Sequence, residues 1–259
     1  MVMGYYVCIF VTVSQGGTMS DYRILVMTSD KYIHAVQVFS HLVNKYWHPN
    51  PSVVVSGFSP PDFSLPENFT FFSAGSQADF PFNRWSDALY VTLEYFKDDV
   101  FVLMLEDYWL TRPVNTEAVA YLADYMRRNK DVLKADLSTD RLYAGGTNMH
   151  YDTHQYLDII KSDPNSAYHM SLWPGLWSNE NLLRVMVPGE SPHDMEITGS
   201  TRLGRNFPDL SVVGTRQNPL SITLGLRARD HSTVLTDGLK EEDLNDIKRL
   251  GYLSHWGIQ

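Results

Sequence analysis

From Tyr22 to Arg128 the chain alternates between two hydrophobic periods. Tyr22 to Met27, Val53 to Ser56, Phe69 to Phe72 and Val100 to Leu105 are short apolar runs, with the length and the β-branched or aromatic content of strands. Between them apolar residues recur at helical spacing. Tyr32, Ala35, Val36, Phe39, Leu42, Val43 and Tyr46 form one face, Trp85, Ala88, Leu89, Thr92, Leu93 and Phe96 a second, and Ala118, Tyr121, Leu122, Tyr125 and Met126 a third. Asp30, then Asn83 or Ser86, then Thr116 are the predicted N-caps, and Arg127-Arg128 suits the C-terminal end of the third helix. Pro60, Pro61 and Pro66 put a loop between the second and third strands.

Further on the pattern weakens. Asp131 to Leu137 predicts another strand, and Leu142 to Trp177 is rich in aromatics, Gly and His without a clear period. Ser178 is placed to cap a short helix through Leu182, Leu183 and Met186. Residues 188 to 235 read as turns and short strands, and Leu244, Ile247 and Leu250 mark a last helix stopped by Gly251. No internal repeat, low-complexity tract or interdomain linker is visible. Strand and helix in alternation, followed by a less regular second half, predict an α/β sandwich with a parallel sheet in its first half, one domain over residues 19–259. The apolar run from Met1 to Val13 has no Lys or Arg before it, and thirteen residues are too few to span a bilayer. Met19 reads as a natural start, and residues 1–18 as an extension or an added edge strand.

Composition narrows the function classes. The 259 residues are 44% hydrophobic and 13% aromatic, enough for a substantial core. A formal charge of -9 provides no global field for nucleic acid. The single cysteine, Cys8, excludes an intramolecular disulfide and a Cys-rich zinc site, and fits a reducing, cytoplasmic location.

The candidate chemistry gathers at strand ends. Val100 to Leu105 runs directly into Glu106-Asp107, and adjacent carboxylates against a hydrophobic sheet require a compensating partner. Two readings stand: loop residues that open the next segment, or ligands for a divalent metal or a substrate. Thr28-Ser29-Asp30 follows the first strand and would lie at the same sheet edge, beyond which such sheets bind ligands. His150 and His154 have the spacing of a metal pair without a carboxylate motif to support them, and His34 and His41 read as an exposed helix face. Arg202 and Arg205 are candidates for neutralising phosphate. The phosphate-binding Gly-x-x-x-x-Gly-Lys loop, the Gly-x-Ser-x-Gly elbow and the Gly-x-Gly-x-x-Gly fingerprint are absent, which removes several enzyme classes.

Taken together, Met27-Thr28-Ser29-Asp30-Lys31-Tyr32, Asn83-Arg84-Trp85-Ser86, Leu105-Glu106-Asp107, Ser171 to Trp177 and Glu190 to Glu196 resemble, in their order, nucleotide-sugar-dependent glycosyltransferases with a GT-A-type fold. The resemblance covers roughly residues 22 to 205 and implies a Rossmann-like α/β/α sandwich with a mostly parallel central sheet. Its nucleotide-binding half would be about 19–137 and its acceptor half about 138–259. It implies transfer of a sugar from a nucleotide diphosphate donor, a UDP-sugar, to a hydroxyl acceptor with Mn²⁺ or Mg²⁺. Asp107, with Glu106, would hold the metal where the family has Asp-x-Asp; Leu105 stands in place of the first Asp. Thr28, Ser29, Asp30, Tyr32, Asn83 and Trp85 would contact the nucleotide, with core packing the plainer role for Trp85. An inverting enzyme needs a general base, and Asp194, Glu190 and Glu196 are its candidates, presented on an exposed turn marked by Gly189 and Pro192. Trp173 and Trp177 would stack on the acceptor, a glycan, a small metabolite or a hydroxymethylated DNA base. A non-catalytic nucleotide-sugar binding module and a metal-dependent phosphoester hydrolase are the rival classes.

Overall fold

The computed structural model describes residues 22–138, 149–226 and 233–258; the expectations for residues 1–18 lie outside these. The apolar runs become four neighbouring strands on one side of a sheet that has nine strands among the described residues. β1 (Ile24–Met27), β2 (Val53–Gly57), β3 (Phe69–Ser73) and β4 (Val100–Leu105) pair in parallel in the order β3-β2-β1-β4. This is the strand order of a Rossmann-like half-sheet, with its reversal between β1 and β4.

Beyond β4 the directions mix. β6 (Val132–Asp136), β7 (Met149–His154), β8 (Leu157–Lys161), β9 (Gly175–Ser178) and β10 (Ser211–Thr215) extend the sheet in the order β4-β9-β6-β10-β8-β7. Following the pairings across, seven of the nine strands run one way and two, β9 and β8, run against them. The sheet is therefore mixed but mostly parallel. A separate two-stranded ribbon joins β5 (Tyr108–Leu110) to β11 (Ile222–Leu224) in antiparallel register.

Successive side chains in a strand point to opposite faces, and two cores follow. Ile24, Val26, Val102 and Met104 pack with α1 (Ala35–Tyr46), α3 (Thr116–Arg128) and α6 (Glu241–Arg249) through Phe39, Leu122 and Ile247. Leu25, Phe101 and Leu103 pack with α2 (Trp85–Phe96), α4 (Asn179–Val185) and α5 (Pro192–Asn206) through Leu89, Leu182 and Met195. The result is the expected three-layer α/β/α arrangement.

Several local expectations are corrected. Asp30 does not cap α1; its carboxylate accepts from the Ser59 N–H at 2.7 Å and the Ser59 hydroxyl at 3.0 Å, tying the loop after β1 to the loop after β2. Neither Asn83 nor Ser86 caps α2, and Asn115 rather than Thr116 caps α3, its side chain accepting from the Ala118 N–H. The stretch read as turns contains the 15-residue helix α5. Pro192 occupies its first turn, where a missing N–H costs nothing, and Ser191 with Asp194 forms a capping box. His34 and His41 are not on an open face. The C-terminal segment covers them, His255 stacking on His34 at 3.9 Å and Tyr252 meeting His41 edge-on at 6.1 Å. His150 and His154 lie on β7, where four residues span about 13 Å, too far to share one ion.

Candidate functional site

The site is built from what the sheet order brings to one edge. β1 and β4 end in register, Met27 opposite Leu105, so Thr28 and Glu106 leave the sheet side by side. Reversal of the strand order between these two parallel strands marks the crevice in which such sheets hold ligands. Loops after β1, β2 and β3 are fastened together above it: Asp30 to Ser59, the Asp30 N–H to the Gln77 side chain at 3.3 Å, and the Ser73 hydroxyl to the Phe58 carbonyl at 2.7 Å. Thr28 is buried; Ser29, Asp30 and Tyr32 are partly accessible.

Glu106 and Asp107 are only 7% and 8% exposed, and among the described residues neither forms an ion pair. Burial, with the neighbouring Asp107 charge, pushes the Glu106 carboxyl well above the ordinary range, and burial lifts Asp107 to about 6. Two adjacent carboxylates form a hard oxygen set that fits Mg²⁺ or Mn²⁺. No group of three His, Cys, Asp or Glu side chains with metal-holding geometry exists among the described residues, so further ligands would come from substrate oxygens or water.

The antiparallel strand β9 explains how the second half reaches this edge. Running against β4 and β6, it starts where they end, with Gly175 opposite both Leu103 and Asp136. An added Cβ at Gly175 would lie 2.5 Å from the Lys134 side chain, which passes over it to donate to the Ser171 carbonyl at 2.7 Å and to pair with Asp136. Residues 171–173 are thereby held beside the acidic pair, and Trp173 stacks on Tyr108 at 5.6 Å and 11°. Tyr108, the residue after Asp107, is a site component that sequence reasoning passed over despite its position next to the acidic pair. Burial first, then the charges of Asp107, Glu196 and Glu106, push its phenol well above the usual range.

The three base candidates separate in space. Glu196, on α5, accepts from the Leu172 N–H at 2.8 Å and so joins the Trp173–Tyr108 platform. Glu190 is buried in a bidentate pair with Arg202 at 2.7 and 2.8 Å, and exchanges backbone and side-chain hydrogen bonds with Ser86 at the start of α2. That pair engages both Glu190 oxygens and ties Arg202 down. Asp194 closes the α5 capping box, and the Ser191 hydroxyl and N–H hold its carboxyl below the ordinary range. The expected exposed acidic turn is thus a helix start with its carboxylates engaged.

Of the two tryptophans, Trp173 is partly accessible and Trp177 is fully buried in the second core beneath Lys134. An acceptor from solvent does not reach Trp177, which corrects its expected stacking role. Asn83 is exposed and Trp85 packs against the second core. A cavity of about 330 Å³ lies beside them along α2, lined by Phe80, Arg84, Tyr90, Met186 and Val187 among others; neither acidic residue lines it.

No protein-family model matches the chain, and no curated protein does. Among solved structures it is similar to a cytidylyltransferase from Leptospira borgpetersenii, at 9% identity over 90% of this chain and 95% of that one, TM-score 0.44. A CMP:2-keto-3-deoxy-manno-octonic acid synthetase complexed with CTP matches at 12% identity, 76% and 92% coverage, TM-score 0.43. S. aureus TarS residues 1–349 match at 14% identity, 88% and 63% coverage, TM-score 0.47. All three TM-scores are below 0.5.

Proposed function

We propose that this chain is a GT-A-type glycosyltransferase that moves a sugar from a nucleotide diphosphate donor, a UDP-sugar, to a hydroxyl acceptor. The observation that carries the reading is the Glu106-Asp107 pair: two buried, adjacent carboxylates with no ion-paired cation among the described residues, at the sheet edge where the strand order reverses. Desolvated carboxylates of this kind are costly in their charged form unless a cation or other partner compensates them.

In this reading Asp107, with Glu106, holds a divalent metal, which when bound stabilises the negative charge on the departing diphosphate. Thr28, Ser29 and Tyr32 line the nucleotide side, while Asp30 shapes the loop through Ser59. Asn83 and Trp85, at the head of α2, are assigned to the nucleotide side in the same reading. Trp173, stacked on Tyr108, offers its ring to the acceptor. Glu196 is the base for an inverting transfer: one oxygen is fixed by the Leu172 N–H, and the other carries no hydrogen bond among the described residues.

A panel of nucleotide sugars incubated with Mn²⁺ or with chelator tests the proposal. Release of UDP from one donor, dependent on metal and accelerated by a hydroxyl acceptor, is the expected result. Donor binding without release would identify a non-catalytic module instead, and nucleoside monophosphate release without an acceptor would identify a phosphoester hydrolase.

A further inference from the structure

The main chain of the acidic pair is held from the far end of the sequence. Two carbonyls at a buried turn require donors, and here neither is served by the turn itself. The indole Nε1–H of Trp109 donates to the Glu106 carbonyl at 3.1 Å, and the Gly225 N–H donates to the Asp107 carbonyl at 2.7 Å. Those carbonyls belong to the two planar peptide units that flank the Asp107 Cα. Pinning both planes fixes φ and ψ of Asp107 and leaves only its side-chain torsions free.

A single contact sets both donors. Gly225 lies flat on the indole: an added Cβ would fall 2.3 Å from Trp109 Cε2 and 2.4 Å from Cδ2, in the rigid fused ring rather than at a flexible tip. Trp109 has no accessible surface and is packed in the first core, so it has nowhere to move. β11 holds the register, pairing Leu224 with Tyr108, Thr223 with Trp109 and Ile222 with Leu110. Glycine at 225 is thus required by close approach, and a bulkier residue there would displace the N–H that orients Asp107.

We propose that Trp109 and Gly225 are positioning residues for the metal-binding carboxylate Asp107, so that the C-terminal ribbon strand β11 completes the site that β4 begins. The inference rests on the reading of Asp107 as a metal ligand. A hydrogen-bonded support around a metal ligand characteristically contributes about 10- to 100-fold in metal affinity.

The test is a Mn²⁺ titration of the whole chain, with and without UDP, read by the electron paramagnetic resonance signal of free Mn²⁺ well below each variant's melting temperature. Trp109→Phe removes the donor and keeps an aromatic ring in the core; Gly225→Ala adds the colliding methyl. Both are expected to weaken Mn²⁺ binding about tenfold or more. Turnover of Trp109→Phe should recover at saturating Mn²⁺, a shift in metal requirement rather than in kcat. A lower melting temperature with parental Mn²⁺ affinity, in Trp109→Phe alone if Gly225→Ala does not fold, overturns the positioning role. Asp107→Asn separates the two layers. If it loses Mn²⁺ while both positioning variants keep it, the positioning role falls and the metal reading stands; if all three keep it, the metal reading falls and takes the positioning role with it.

Discussion

Glu106 and Glu190 are each 7% exposed, yet they sit in opposite electrostatic situations. Glu190 has a bidentate guanidinium from Arg202, and its backbone is latched to Ser86, so its burial is compensated within the chain. Glu106 shares its burial with a second carboxylate, and the described chain supplies no cation to either. Equal burial with unequal compensation distinguishes a carboxylate that holds the fold together from one that awaits a partner. The acidic residues at 190–196 and at 106–107 look alike in sequence, and only the surrounding helix and sheet tell them apart.

The sharpest way to break this comparison is Asp107→Ala. Turnover with Mn²⁺ should fall about a thousandfold, measured as UDP release, because a metal-held diphosphate loses several kcal/mol of stabilisation. Unchanged turnover would return Asp107 to the status of a loop residue. Glu196→Gln should follow with a loss of about a hundredfold in kcat, the usual contribution of a positioned base, with donor binding retained. A drop confined to acceptor KM would assign Glu196 to the Trp173 platform alone.

Glu190→Gln should act on stability instead. It leaves the Arg202 guanidinium buried without its counter-charge, at a cost of about 3 kcal/mol in denaturant unfolding, while the folded fraction keeps parental turnover. A hundredfold turnover loss in a protein of parental stability would make Glu190 the base after all. The acidic pair predicts the opposite sign. Asp107 has its carboxyl at about 6 in the folded state against an ordinary 3.8, so between those values the folded state binds the extra proton. Its contribution is complete below about 3.8 and is lost as pH rises through 6, on the order of 2–3 kcal/mol for this group. Metal-free protein should therefore lose that stability between these pH values, Asp107→Asn should flatten the profile, and Mn²⁺ should restore stability above pH 6. Thermal unfolding across pH, with and without Mn²⁺, measures all three effects.

What was legible in the sequence follows from where patterns are strongest. β4 was readable to the residue because a central parallel strand is apolar on both faces, and its junction with Glu106 is an abrupt change of polarity. α1, α2 and α3 showed their buried faces, but their caps were misassigned, since Asp30 and Thr116 have competing long-range partners in Ser59 and the His48 carbonyl. β9 was hidden: four residues are too few to display a period, and its antiparallel insertion between β4 and β6 buries Trp177 while bringing Trp173 to the edge. The supports of Asp107 were beyond reach for another reason, because Trp109 and Gly225 meet only through the β5–β11 ribbon.

α5 is the clearest case of a helix concealed by its own sequence, and it yields the mildest prediction. Thr198, Gly199, Thr201 and Gly204 are poor helix formers, and the glycines are there for close packing: an added Cβ at Gly199 would lie 3.1 Å from the Met170 sulfur, and at Gly204 2.5 Å from the Pro164 carbonyl oxygen. With so little intrinsic propensity, the helix depends on its N-terminal cap. The Ser191 side chain accepts from the Asp194 N–H at 3.1 Å, and the Asp194 carboxylate accepts in return from the Ser191 N–H. Ser191→Ala should therefore cost about 1 kcal/mol in denaturant unfolding. Turnover should change little if Glu196, one turn into the helix, is held mainly by the Leu172 N–H; a large loss would mean that the cap, rather than the Leu172 bond, sets the position of Glu196 beside the acidic pair.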